Sequence, residues 1–172
     1  LKTVAKDAKA GVTFTDCVEK YRLIGYDTKI LSSEDFDNDK TDAGEIGSNL
    51  CVAALYEIKL GEFSMPDVVG ADAKLADIEV RYKDVRGESE VNDSSACTVM
   101  LNSTPSSDDL SFISCVAEFG LILRQSKYKG EASLINITER LAELTEYINA
   151  DAYKKEFVTL VGKASENEKY GG

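Results

Sequence analysis

ACTVMLNSTPSSDDLSFISCVA, residues 96–117, contains the change of pattern that decides the fold: its start reads as a short strand and its second half as a helix. Apolar residues two apart line one face of a pleated strand, whereas spacings of three and four line one face of a helix. Thr104 and Pro105 mark the change, since proline has no amide proton and disfavours helix at the residue before it. Ser106 or Ser107 then stands where a cap can accept a backbone N–H. Asp108 and Asp109 fall in the first turn, where the positive end of the helix dipole favours acids.

Upstream of this point the period is two. Val4, Ala8, Ala10, Val12 and Phe14 are apolar, while Thr3, Asp7, Lys9 and Thr13 are polar, as in a half-buried strand. Ile78, Val80 and Tyr82 alternate with Glu79, Arg81 and Lys83 in the same way. NLCVAALYEIKL puts Leu50, Val52, Ala54, Tyr56, Ile58 and Leu60 on one face, with Cys51, Ala53 and Leu55 on the other, which predicts a central strand covered on both sides at its start. Tyr21–Tyr26 and Ala96–Leu101 are shorter candidates. Gly61 and Pro66 punctuate one long connection and GESEVNDSS another.

Downstream the period is that of helices. Leu110, Ile113, Val116, Ala117, Gly120, Leu121 and Arg124 mark the first helix. Leu134, Ile137, Leu141, Leu144 and Ile148 form a strict stripe after a Ser133 cap, with Gly130 breaking the chain before it. Tyr153, Phe157, Leu160, Val161 and Ala164 make a third stripe. Strands first and helices after predict an α+β fold, an antiparallel β-sandwich-like sheet of about five strands followed by a C-terminal three-helix subdomain. Residues 1–104 are expected to be the β-rich region, 105–166 the helical region packed on it as one compact unit, and 167–172 a loose tail.

Composition removes several functions. The 172 residues contain no His, so Ser-His-Asp and Cys-His nucleophile systems, His-ligated zinc and an imidazole acid or base are excluded. A net charge of −11 repels nucleic acid and anionic bilayers on average, because such binding depends on Lys and Arg neutralising phosphates. No stretch approaches the length of about 18 apolar residues that would insert in a membrane. Phosphate-cradling glycine motifs are absent, and without Trp a sugar-stacking platform is a poor reading. Cys17, Cys51, Cys97 and Cys115 contain no CxxC pair. Cys51 and Cys115 lie in apolar runs, which suits buried free thiols, and a disulfide in an exported protein is the alternative.

The most chemically suggestive stretch is SSEDFDNDKTDAGEIGSN. From Glu34 to Glu45 it carries six acids and a single base, Lys40. Asp35, Asp37 and Asp39 alternate as the first ligands of a calcium loop do, because a hard cation wants converging carboxylate oxygens. The rest of the pattern departs from an EF-hand, with Lys40 at the glycine position and Ile46 at the bidentate glutamate position. Asp35, Asp37, Asp39, Asp42 and Glu45 are therefore the calcium candidates, set against a solvated turn-rich connection. No catalytic residue, cofactor or firm metal site is assigned. Paired carboxylates for hydrolysis need a cleft and a raised pKa that spacing cannot show.

YRLIGYDTKILSSEDFDNDKTDAGEIG followed by VAALYEI resembles the uncharacterised domain that follows the von Willebrand factor type A domain in a family of bacterial proteins, many exported or lipid-anchored. VRYKD, CVAEFGLILRQSKYKG and FVTLVGKA extend the resemblance over most of the chain. It implies that this chain is a piece of a longer protein with a type A domain before Leu1. Type A domains typically hold a divalent metal through a DxSxS motif. The nearest string here, DSSAC from Asp93, does not fit it, and Asn49, Leu50, Cys51 and Val52 depart from the family's expected polar lead-in. No adhesion-site residue carries over. The resemblance implies a non-catalytic accessory or interaction domain that supports or orients the type A domain for protein binding or adhesion, in an extracytoplasmic setting. Its partners would be that type A domain and an unidentified protein. The alternative is a divalent-cation-dependent module or a carboxylate hydrolase using loop 34–45.

Overall fold

The computed structural model describes residues 2–25, 36, 44–61, 73–86, 89–101 and 107–167. The chain divides into two compact units, Leu1–Ser103 and Thr104–Gly172. The fold is α+β: two antiparallel sheets, then helices.

Six strands are seen among the described residues: β1 Thr3–Phe14, β2 Val18–Ile24, β3 Gly44–Gly47, β4 Leu55–Leu60, β5 Lys74–Arg86 and β6 Ser89–Met100. One sheet has the order β3-β1-β5-β6 and the other pairs β2 with β4. The first unit buries little, with only Ala5, Lys9 and Ala76 of its described residues in the buried class. The sheets meet at an aromatic cluster, where Phe14 of β1 lies 4.5 Å from the Tyr21 ring of β2 and 5.5 Å from that of Tyr56 on β4, centroid to centroid. Such offset and edge-on pairs contribute about 0.5–1.5 kcal/mol each beyond the area they bury.

Three strand expectations need correction. Residues 50–54 are exposed and lie outside the ladder, so NLCVAALYEIKL is not a covered central strand. The cause is the partner: β2 pairs with β4 only from Leu55↔Ile24 onward, and the chain turns at Gly25, with φ +73°. Apolar residues without a paired strand beside them have no sheet to join. Of GESEVNDSS, Gly87 and Glu88 lie outside the described residues, and the rest, from Ser89 on, is strand rather than loop. β5 and β6 form one long ladder from Lys74↔Met100 to Arg86↔Ser89. Residues 90–98 are all exposed on this edge strand, so no face of it needed apolar residues and the alternation vanished from the sequence. Finally, Ala5 and Lys9, not the even-numbered apolar residues, are the buried positions of β1.

The second unit contains α1 Asp108–Leu123, α2 Leu134–Glu143, α3 Thr145–Asn149 and α4 Ala152–Ser165. Four helices replace the expected three because the second stripe bends at Leu144, with φ −96° and ψ 20°, while Leu144 itself stays buried. Each of the three longer helices starts on a side-chain cap. Ser107 accepts from the Leu110 N–H, Ser133 from the Asn136 N–H, and Asp151 from those of Tyr153 and Lys154. Each such cap is worth about 1 kcal/mol.

The core of this unit is Cys115, Ile122, Leu134, Ile137, Leu141, Leu144, Ile148 and Val161. Phe157 of α4 sits edge-on between Phe112 and Phe119 of α1, at 5.4 and 5.5 Å. The α1 face turned inward is therefore 112, 115, 119 and 122, and not the expected one; Leu110 and Val116 are exposed. α1 is apolar around most of its circumference, so its period could not single out a face. The rings of the neighbouring helix did. Tyr153 and Leu160 of the third expected stripe are exposed as well, leaving Val161 as its buried residue, with Phe157 and Ala164 partly covered. Arg140 of α2 ties the bundle together by donating to Glu118 at 2.5 Å and to the Ser114 hydroxyl on α1.

Candidate functional site

The four-stranded sheet carries one strongly charged face. Register sets its rows: Lys9 of β1 stands across from Arg81 of β5, which stands across from Ser94 of β6. In the adjacent row Lys83 stands across from Asn92. These residues, with Asp7, Glu79, Tyr82, Asp93 and Phe36, line an open depression of about 420 Å³.

Two local features shape it. Between Lys6 and Lys9 the β1–β5 register shifts, and Asp7 within that irregularity adopts φ 51°. A non-glycine residue in this left-handed region costs about 1–2 kcal/mol, and a bulge re-aims the side chain it carries. Here the Asp7 carboxylate meets the Lys83 ammonium at 2.5 Å. The second feature is Gly11. A Cβ at that position would come within 3.0 Å of the Phe36 ring tip, so the bare backbone lets the ring lie against the strand. The Arg81 guanidinium then sits 4.8 Å from the Phe36 ring centre. Its Nε also donates to Glu79 at 2.8 Å.

Lys9 is only 6% exposed. Lysine is rarely buried so deeply unless its charge is met, and a like charge directly across a ladder is unfavourable. Lys9 and Arg81 stand across the ladder from one another, and each also interacts with other groups of the protein. Asp93 on the rim accepts from the Ser94 N–H at 2.8 Å and from the Tyr82 hydroxyl at 3.4 Å.

Elsewhere, several groups in ion pairs or caps move toward their charged forms. A hydrogen bond and ion pair with Glu90 raise the Lys6 pKa. The Lys59 hydrogen bond pulls Glu19 below the usual carboxylate range, and those from Lys74 and Thr98 do the same for Asp77. Asp151 is lowered chiefly by the backbone N–H of Lys154. Burial pushes the Cys115 thiol up, which keeps it protonated and unreactive.

Of the calcium candidates, Asp35, Asp37, Asp39 and Asp42 lie outside the described residues. Glu45 is on β3, exposed, with the Thr3 hydroxyl 3.5 Å from its carboxylate. Among the described residues no three acids or thiols converge as a metal would require. All four cysteines are free. Cys115 is buried as expected, whereas Cys51 is exposed because its segment never enters a sheet. No described helix is long and apolar enough to cross a membrane.

Sequence reasoning missed this charged face. Arg81 and Lys83 read as the solvent side of an alternating strand, and Phe36 as part of the acidic connection. The overlooked signal is Gly11, since an isolated glycine inside a strand pattern marks the close approach of another group.

Residues 1–166 match the family described as "Uncharacterized protein YfbK, C-terminal". The chain is also 32% identical over 174 positions to "Uncharacterized protein YfbK" of Escherichia coli (strain K12), an alignment that covers 94% of this chain and 30% of that relative. The chain thus spans about 30% of the length of the curated relative it matches. No solved structure matches it significantly. The chain belongs to the YfbK C-terminal family.

Proposed function

We propose that this member of the YfbK C-terminal family is a non-catalytic accessory domain of a bacterial von Willebrand factor type A domain protein. Its task is to support or orient the type A domain for protein binding or adhesion outside the cytoplasm. The link to a type A domain and the extracytoplasmic setting are supported by the resemblance of YRLIGYDTKILSSEDFDNDKTDAGEIG, VAALYEI and the later matching segments. The non-catalytic reading is supported first by the sequence, which has no His and no phosphate-cradling glycine motif. Glu19, Asp77 and Asp151 are all lowered, by partners that pair strands or cap a helix. A carboxyl serving as general acid needs the opposite, a proton retained near neutral pH. Partner binding needs only shape and apolar surface. The helical unit offers exposed Tyr153, Ile135 and Leu160.

Four results test the reading. The coding sequence before Leu1 should specify a type A domain with a DxSxS motif; any other upstream domain refutes the assignment. Calorimetric mixing of the chain with that type A domain should give a dissociation constant of about 1–10 μM, and no heat up to about 100 μM would refute a supporting contact. Cell fractionation should recover the parent protein outside the cytoplasm. Turnover of glycoside or ester substrates by the isolated chain would overturn the non-catalytic reading.

A further inference from the structure

Independently of that reading, we infer that the outer edge of β6 is a docking surface for a second copy of this chain, which pairs with it strand to strand. An edge strand presents backbone N–H and C=O groups to any strand that reaches it, and proteins ordinarily blunt such an edge by shortness, charge, proline or irregularity. The other described strands show that protection. β3, at the opposite end of the four-stranded sheet, is four residues long, carries Glu45 and pairs with β1 in a shifting register. β2 and β4 carry Glu19, Lys20, Arg22, Glu57 and Lys59. β6 is different in its second half. The strand is 12 residues long, ends the sheet order among the described residues, and pairs with β5 without a shift from Ala76↔Val99 to Arg86↔Ser89. Its residues 94–100 hold no charge and no proline, in a chain that is 30% charged, and all of them except Val99 are exposed.

Two hydrogen bonds fix which backbone groups face the edge. The Leu101 N–H, just beyond β6, donates to the Ala73 carbonyl on the β5 side. The Ser94 N–H goes instead to the carboxylate of its neighbour Asp93. Backbone groups alternate in direction along a strand, so Ala96, Thr98 and Met100 turn theirs outward as Ser94 does, while Cys97 turns its own toward β5. Charge and symmetry then select the occupant. The acids of β6 are Glu90 and Asp93, both in its first half. A second copy running antiparallel about a two-fold axis at Cys97 sets Ala96 opposite Thr98 and Ser95 opposite Val99, and keeps the acids of the two copies at opposite ends of the paired stretch. Sliding the axis toward Ser89 brings those acids face to face, which is unfavourable. At the favoured register Ala96 and Thr98 exchange both backbone bonds with their counterparts. Cys97 meets Cys97 of the second copy at a non-hydrogen-bonded position, where Cα atoms stand about 4.5 Å apart. The Ser94 N–H, held by Asp93, ends the shared ladder, so the contact is short and belongs to the weak class of interfaces.

The test is sedimentation equilibrium of the whole chain under reducing conditions, between about 5 and 500 μM. A monomer–dimer equilibrium with a dissociation constant of about 10–100 μM is expected. Ala96→Lys places a charge on the exposed edge and should weaken the dimer about tenfold or more, even though it lowers the net negative charge of each copy. Val158→Lys, at an exposed position of the helical unit, should leave the dimer unchanged. Hydrogen exchange of the unaltered chain supplies a readout that no variant's folding can disturb. The amides of Ala96 and Thr98 should exchange about threefold more slowly, or slower still, at about 500 μM than at about 5 μM. With Cys51→Ser removing the other exposed thiol, diamide, which takes up the two hydrogens that two thiols release, should give a dimer linked through Cys97. A chain that stays monomeric to about 500 μM, or a dimer that Ala96→Lys leaves intact, overturns the proposal. So does protection of the Ala96 and Thr98 amides that dilution does not change, since another segment of the same chain would then cover the edge.

Discussion

Replacing Ile137 by Ala removes three carbons from the centre of the helical core, where the side chain is 0% exposed and belongs to the cluster with Cys115, Leu141 and Val161. The transfer loss is about 0.8 kcal/mol per carbon, or about 2.4 kcal/mol. The cavity, about 60–80 Å³ if the neighbours do not relax, adds about 1.5–2 kcal/mol. The total of about 4 kcal/mol rivals the whole stability of a unit this small. Ile135 supplies the control, being the same residue type on the same helix, two positions away and 68% exposed. Ile135→Ala should stay within about 0.5 kcal/mol of the parent, because alanine is the better helix former and no cavity is left. The assay is urea unfolding followed by circular dichroism at the helical band. With a slope of about 1–2 kcal/mol per molar urea, the Ile137→Ala midpoint should fall by about 2 M or more. A loss below about 1 kcal/mol at Ile137, or equal losses at both positions, would refute the packing described for this unit.

Other expectations follow from the same structure. Asp151 has a lowered folded-state pKa, so the unfolded chain binds its proton more readily; its stabilisation is complete above the unfolded value of about 4 and is lost as pH falls through the folded value. Thermal melts of the helical unit should therefore weaken between about pH 5 and pH 3, and Asp151→Asn, which keeps a capping amide, should flatten that dependence. Under native conditions a thiol reagent should label exposed Cys51 and Cys97 first, half-buried Cys17 more slowly and Cys115 only on unfolding, with mass spectrometry of digests as the readout. Rapid native labelling of Cys115 would contradict the core. Asp7→Ala should cost about 1–2 kcal/mol, since it keeps the positive φ and loses the Lys83 pair, whereas Asp7→Gly should recover the backbone part of that loss. Urea titrations of the two variants separate these contributions, and identical midpoints would show that the backbone at Asp7 carries no strain.

Local signals were the readable ones. Ser107 and Ser133 were recognisable as caps because a hydroxyl before a run of helical period has one obvious use, and both accept the expected N–H. The stripe Leu134, Ile137, Leu141, Leu144 and Ile148 was readable because its outward face is polar, and all five are buried. Where a segment lacked that contrast, pattern failed. α1 is apolar on too many sides to declare its inner face, and β6 is exposed over residues 90–98, so only its end, from Ala96, was readable as strand. The charged face was hidden for a different reason. Lys9, Arg81, Lys83 and Phe36 come from separate parts of the chain and meet only through the register of β1 with β5 and the gap at Gly11.

The sequence by itself determined the class and order of the elements, strands and then helices, since period and capping are properties of consecutive residues. It also ruled out histidine chemistry by composition alone. Only the tertiary structure decided which apolar residues are core, because burial depends on having a neighbour to pack against. Leu50 and Val52 are apolar yet 53% and 66% exposed for want of a paired strand, while Lys9, a charged residue, is 6% exposed in a strand whose register shifts beside it.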